Sequence, residues 1–334
     1  MQLNSLAAAF DYFRANFDID AIRPDEVFIT NHPYHNGQHL NDVLMFLPAF
    51  HAEKLIGFAG TVCHHADIGG TSALDTEATH LIQEGLVIPA MKLPVSYLVG
   101  GPFQALLAAN VRATDLVVGD FNAQVSACER GRRLLIEQVE KYGPETVVHT
   151  MAALQTYAER LMRDRLRAIP DGVYEGEDFA DGHHVGDPSI RIRIRAQVTG
   201  DQVCVDLSAC DDQVPGPINS PIASTHAAVY GFFGGLLGSG SPVNDGTYRP
   251  VEIITRKGSI CDPVAPAPVH SRMAVCYAIS GALRRAIGEV APNQVAACGD
   301  DTSTGIVFSF HDNGRYRIHV EIVGGGNGGA ANLD

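Results

Sequence analysis

Residues 43–62 read VLMFLPAFHAEKLIGFAGTV, two apolar runs about a short polar break. The runs 43–50 and 55–62 are strand-length, and HAEK between them supplies a turn, so the stretch is expected to form an antiparallel hairpin. Neither run alternates apolar with polar, which implies cover on both faces. A tight turn that pairs Phe50 with Leu55 carries Asp42 opposite Cys63 and Leu40 opposite His65. A slip of one residue would exchange the faces.

Two polar segments flank this hairpin. NHPYHNGQHLNDV, 31–43, leads in, and CHHADIGG, 63–70, leads out, so the hairpin brings them together at its open end. Imidazole nitrogens and a carboxylate converging on one point suit zinc, manganese, iron(II) or cobalt. The expected ligands are His39, Asp42 and His65: His39 and Asp42 are three apart, within one turn, and His65 arrives across the hairpin. Two histidines and one carboxylate leave coordination positions open, the pattern of a catalytic site. His64 and Asp67 are the candidate proton-transfer and hydrogen-bonding partners of such a site. Gly69 and Gly70 would let the backbone approach a ligand closely. Polar loops at strand ends also hold His and Asp without binding anything. His32 and His35 fit turn or surface roles, and Cys63, ending an apolar run, fits packing.

Elsewhere the chain reads as an α+β protein with mixed sheets and helices, the metal site lying at the open end of the hairpin. Helical spacing covers 4–17, 102–110, 120–141, 144–168, 225–238 and 271–289. Strands are expected at 26–30, 190–199, 202–208, 251–255, 303–310 and 316–323, with 169–178 a break. That suggests an N-terminal metal-bearing region, 1–168, and a second mixed region, 169–334. RIRIR, 191–195, sets three arginines on one strand face, which is by default solvated. The ending EIVGGGNGGAANLD, 321–334, suggests a polypeptide that continues.

The 334 residues are 46% hydrophobic and 19% charged, a globular composition. A net charge of −14 argues against nucleic acid or an anionic membrane as partners. Seven cysteines, an odd number with no C-x-x-C, suit a reduced cytoplasmic protein. No secretory signal or membrane-spanning run is visible.

DEVFITNHPYHNGQHLNDV (25–43) with GFAGTVCHHADIGG (57–70) resembles the hydantoinase B/oxoprolinase family. EGLVIPAMKL (84–93), ANVRATDLVVGDFNAQ (109–124), IPDGVYEGED (169–178), GPINSP (216–221) and PVNDGTYRPVEI (242–253) extend the resemblance along almost the whole chain. It implies the B subunit of an ATP-dependent cyclic-amide hydrolase of hydantoinase or 5-oxoprolinase type. The implied partner is an A-type ATP-binding subunit of actin-like ATPase fold, joined in a hetero-oligomer. ATP is used by that subunit, and the B subunit holds a divalent metal (Mn, Zn or Fe). A metal-bound water would then attack a phosphate-activated lactam or imide carbon. The resemblance places ligands on the same His39, Asp42 and His65. Two other outcomes follow from the same family: a subunit of an acetone- or acetophenone-type carboxylase, or a truncated remnant that only binds a partner. The chain departs from the family at His32, where relatives carry aspartate, and it is shorter at both ends.

Overall fold

The computed structural model describes residues 3–73, 75–184, 186–238, 240–299, 305–326 and 328–329. The last residues of the glycine-rich ending lie outside them. Among the described residues the architecture is α+β with three sheets. Two compact units make it up: residues 5–152 with 307–319, and residues 1–4, 153–306 and 320–334.

The first unit holds α1 (Ser5–Asn16), β1 (Glu26–Thr30), β2 (Asp42–His51), β3 (Lys54–His64), β4 (Met91–Pro94), α2 (Pro102–Asn110), α3 (Thr114–Tyr142) and the start of α4 (Pro144–Leu166). The antiparallel sheet runs β3-β2-β1-β4. One face meets α1 through an aromatic cluster: Phe13 packs on Phe28 with ring centroids 4.7 Å apart, and Phe10 on Phe58 at 4.8 Å. The other face meets α3, where Thr61 Oγ1 lies 3.1 Å from Cys128 Sγ. Eight successive residues of β2, Asp42–Ala49, are buried, as its unbroken apolar run implied. β3 is the sheet edge and only half-buried, so cover on both faces holds for the inner strand and not for its neighbour.

The hairpin register departs from expectation. His51 pairs with Lys54 and Phe50 with Leu55, around a turn with positive φ at Ala52 and Glu53. A bulge then intervenes, Ala49 pairs with Gly57, and every later pair is shifted by one. Asp42 therefore stands opposite His64, and Val43 opposite Cys63. A bulge takes up one extra residue on one strand, here Ile56, and reverses which side chains share a face beyond it.

The loop before β2 is not a solvated turn. His32, His35 and Tyr12 form a column of rings, with centroids 4.1 Å apart for His32–His35 and 4.4 Å for Tyr12–His35. His32 Nδ1 accepts from the Tyr34 amide at 3.1 Å, the i to i+2 bond an aspartate makes in an Asx turn, which explains how histidine serves at this place. His35 Nδ1 accepts from the Ala90 amide at 3.2 Å. Burial, with the neighbouring His35, lowers the His32 pKa to about 4, and burial lowers that of His35.

The loop after β3 is tied to the start of α3. Asp67 is fully buried, and its carboxylate accepts from the Gly69 amide at 3.0 Å, the Ala113 amide at 3.1 Å, the Arg112 amide, and Arg112 Nη1 at 2.9 Å. Gly69 and Gly70 have φ of +87° and +75°, and a Cβ on them would strike the Asn110 and Gln83 carbonyls. The close approach expected of these glycines is thus made to the protein's own backbone.

The second unit is built on a sheet of order β5-β6-β7-β8: β5 (Gly172–Ala180), β6 (Ile190–Thr199), β7 (Gln202–Asp206) and β8 (Val251–Ile254), the last pair parallel. α5 (Ile222–Gly234), α6 (Asp245–Tyr248) and α7 (Met273–Gly288) complete it. Met162 and Leu166, late in α4, join its core, which is why the division falls inside that helix and not at residue 168. β5 occupies the segment expected to be a break; its exposed positions include Glu175 and Glu177, charges that disguised the alternation. Arg193 pairs with Glu175 at 3.1 Å on the exposed sheet face, as the solvated-face reading implied. β9 (Gly305–Asp312) and β10 (Arg315–Ile322) form a two-stranded hairpin, most of which groups with the first unit. Among the described residues no helix is long and apolar enough to cross a membrane.

Two outcomes follow for the first unit. A folded-state His32 pKa near 4, below the ordinary 6.5, means the unfolded chain binds protons first as pH falls, so this contribution to stability is present above about pH 6.5 and is lost between there and about pH 4. His32→Asn keeps an acceptor for Tyr34 N without titrating, and urea melts at pH 7 and 4.5 should show a smaller acid loss than in the parent chain. Asp67→Ala strands Arg112 and three amides, and the same melts at pH 7 should record a loss of roughly 3 kcal/mol or more.

Candidate metal centre

The bulge puts His64 and Asp42 on one face of the hairpin end. His39 joins them from the preceding turn, closed by the Asp42 amide donating to the His39 carbonyl at 3.0 Å. Asp42 Oδ1 lies 2.9 Å from His39 Nε2 and 3.0 Å from His64 Nδ1, and those two nitrogens are 3.1 Å apart. His39 and Asp42 are buried, whereas the His64 side chain is 52% exposed, so the group opens outward on the His64 side.

These three atoms fit a cation better than they fit one another. If both imidazoles donate to Asp42 Oδ1, two N–H groups face each other along the third edge. A divalent ion accepts a lone pair from each and removes the conflict. Three ligands on one face of a six-coordinate ion with bonds of about 2.1 Å stand about 3.0 Å apart, close to the spacing here. Nitrogen and carboxylate oxygen are also the donor types such ions take.

His65 points to the other face. It is fully buried, its Nε2 lies 3.4 Å from Gln124 Oε1, and its ring lies 6.4 Å from that of Phe121. Burial lowers its pKa, keeping it neutral. Of the expected ligands, His39 and Asp42 come together and His65 does not join them; its place is taken by His64, expected as a proton-transfer partner. Successive strand residues face opposite ways, so the two adjacent histidines exchange places with a one-residue change of register. Asp67, expected beside them in that role, spends its carboxylate on Arg112 and the amides at the start of α3. Burial, Asp120 and Asp42 push the Cys63 thiol up, which removes it as a thiolate. Gln124 ends the segment ANVRATDLVVGDFNAQ but drew no role from the sequence; its role emerges only because α3 lies across the strand ends.

The hydantoinase B/oxoprolinase family model matches residues 1–334. The chain is 35% identical over 329 residues to the putative D-/L-hydantoinase B subunit of Pseudomonas sp. (strain NS671), covering 94% of this chain and 55% of that one. It is 34% identical over 306 residues to the caprolactamase beta subunit of Pseudomonas jessenii, covering 89% and 52%. The crystal structure of the ATP-dependent caprolactamase from Pseudomonas jessenii superposes with a TM-score of 0.82 at 31% identity, over 94% of this chain and 55% of that chain. A nucleotide-free acetone carboxylase structure shares the fold with a TM-score of 0.85 at 18% identity, over 100% and 47%. This chain therefore spans about half the length of these relatives. Fold, motifs and matched length agree: the chain belongs to the hydantoinase B/oxoprolinase family.

Proposed function

We propose that this chain is the metal-bearing B subunit of an ATP-dependent cyclic-amide hydrolase, with the ion held by His39, Asp42 and His64. The observation that carries the reading is the convergence of these three donors within 2.9–3.1 Å, in a chain of this family. A divalent ion bound there supplies Lewis acidity and lowers the pKa of water, giving a nucleophile near neutral pH. The protein's share is to aim the three donors. Asp42, itself buried, brings the negative charge that offsets the ion. His39, equally buried, shuts the inner side. His64 stands at the exposed rim, the side on which a lactam or imide carbon can approach.

An amide carbon is a poor electrophile, and opening its ring needs prior activation. Phosphorylation of the amide oxygen by ATP makes the ring carbon electrophilic. Water adds to it, the ring C–N bond breaks with the nitrogen leaving as a protonated amine, and the resulting acyl phosphate is hydrolysed to carboxylate and phosphate. The caprolactamase to which this chain is similar is ATP-dependent. We place the nucleotide on an A-type partner of actin-like ATPase fold, in a cytoplasmic hetero-oligomer, because the relatives this chain resembles are B or beta subunits.

Metal analysis of the purified chain tests the ligand set. His39→Ala, Asp42→Asn and His64→Ala should each cut divalent-metal affinity more than about 100-fold, beyond the usual cost of altering an outer-sphere partner. His65→Gln should keep metal near parent content; loss of metal in His65→Gln with retention in His64→Ala would reverse the assignment. Reconstituted with its partner, the complex should couple ATP hydrolysis to ring opening of a cyclic amide. ATP turnover that requires bicarbonate and yields a new carboxylate would instead make it a carboxylase.

A further inference from the structure

The sheet face opposite the donor triad carries a buried polar cluster on the same strand ends. Gln124 is 4% exposed, and its one carboxamide reaches β2 and the residue that directly follows β3. Its Nε2 donates to the Val43 carbonyl at 2.7 Å, one residue past Asp42. Its Oε1 lies 3.4 Å from His65 Nε2, one residue past His64. A carbonyl can only accept, so the amide nitrogen must face Val43 and the oxygen must face His65. His65 Nε2 then carries the proton that Gln124 accepts.

Asn41 closes the strands from their very end. The His65 amide donates to the Asn41 carbonyl at 2.8 Å, and Asn41 Nδ2 returns a bond to the His65 carbonyl at 2.8 Å. Each residue that bears a ligand on the hairpin is thus flanked by a residue locked through a carboxamide. The arrangement acts on one particular separation. Asp42 and His64 are triad members on different strands, and a slide or splay of β2 against β3 would part Asp42 Oδ1 from His64 Nδ1. Gln124, bonded from a third element to β2 and to the residue that directly follows β3, opposes that motion.

We infer that Gln124 is a positioning residue for the metal centre: its carboxamide, bonded to Val43 on β2 and to His65 immediately after β3, holds Asp42 and His64 at the spacing a divalent cation needs. The inference rests on the ligand assignment proposed above. It goes beyond that assignment by giving His65 and Gln124 a task from the far face of the sheet. A buried carboxamide with a purely structural role would affect folding and leave the metal's surroundings unchanged, and that difference can be measured.

Cobalt(II) is the probe, because its d–d absorption reports ligand geometry while a competing chromophoric chelator reports affinity. The full chain is compared with Gln124→Met, Gln124→Asn, Cys128→Ala and His39→Ala. Cys128 sits one turn further along the same face of α3, against Thr61, and controls for buried disturbance away from the ligands. Gln124→Met and Gln124→Asn should each lower cobalt affinity about 10- to 100-fold and alter the d–d spectrum. Cys128→Ala should change neither, whatever its effect on thermal stability. If either folded Gln124 variant keeps parent affinity and spectrum, or if Cys128→Ala loses affinity equally, the inference is overturned. Cobalt binding untouched by His39→Ala would overturn the ligand assignment itself, and the positioning role with it.

Discussion

The bulge between the turn and the rest of the β2–β3 ladder is the constraint on which the site depends. On the turn side, Phe50 pairs with Leu55; beyond it, Ala49 pairs with Gly57, and the shift persists to the strand ends. One extra residue on β3 exchanges the faces of every residue that follows it. His64 consequently shares a face with Asp42, and His65 turns to α3. Without the bulge the same residues would send His65 toward the carboxylate and His64 into the helix. A local irregularity at Ile56, near the far end of the hairpin, thereby chooses between two adjacent histidines.

The surroundings of the triad are held mostly by neutral amides. Asn31, buried, donates to the Leu40 and Leu86 carbonyls and accepts from the Ile88 amide; Asn41 and Gln124 do comparable work at the hairpin end. A carboxamide can satisfy both a donor and an acceptor in buried backbone without bringing a charge. That matters beside a candidate cation centre, where another buried carboxylate would alter the local field. The charged pair Asp67–Arg112 is committed to the α3 start, where a carboxylate also meets the favourable end of the helix dipole. The polar segment after β3 thus divides its labour: His64 to the donors, His65 to the clamp, Asp67 to the helix.

A buried inner wall and a half-exposed outer ligand make a centre that is shielded on one side and reachable on the other. The open side is that of His64, the only one of the three donors with a half-exposed side chain. The hydantoinase B subunit and the ATP-dependent caprolactamase to which this chain is similar share its family and its fold.

Much of this was written in the sequence. The apolar runs and HAEK define the hairpin because burial and turn propensity are local properties. The i, i+3 spacing of His39 and Asp42 places both in one turn for the same reason. Family membership was legible from the spaced motifs. Strand β5 was hidden because Glu175 and Glu177 occupy its exposed face, and only pairing with β6 reveals it as a strand. His32 is the turn residue it looked like, accepting from the Tyr34 amide, but its ring also stacks on His35 within a column that ends on Tyr12 of α1, a contact the sequence did not show. The choice between His64 and His65 was likewise beyond the sequence. A bulge costs little locally and leaves no composition signal, so the face each histidine takes is decided by how the whole ladder packs between α1 and α3. The sequence by itself determined which residues could bind a cation; the tertiary structure decided which of them meet.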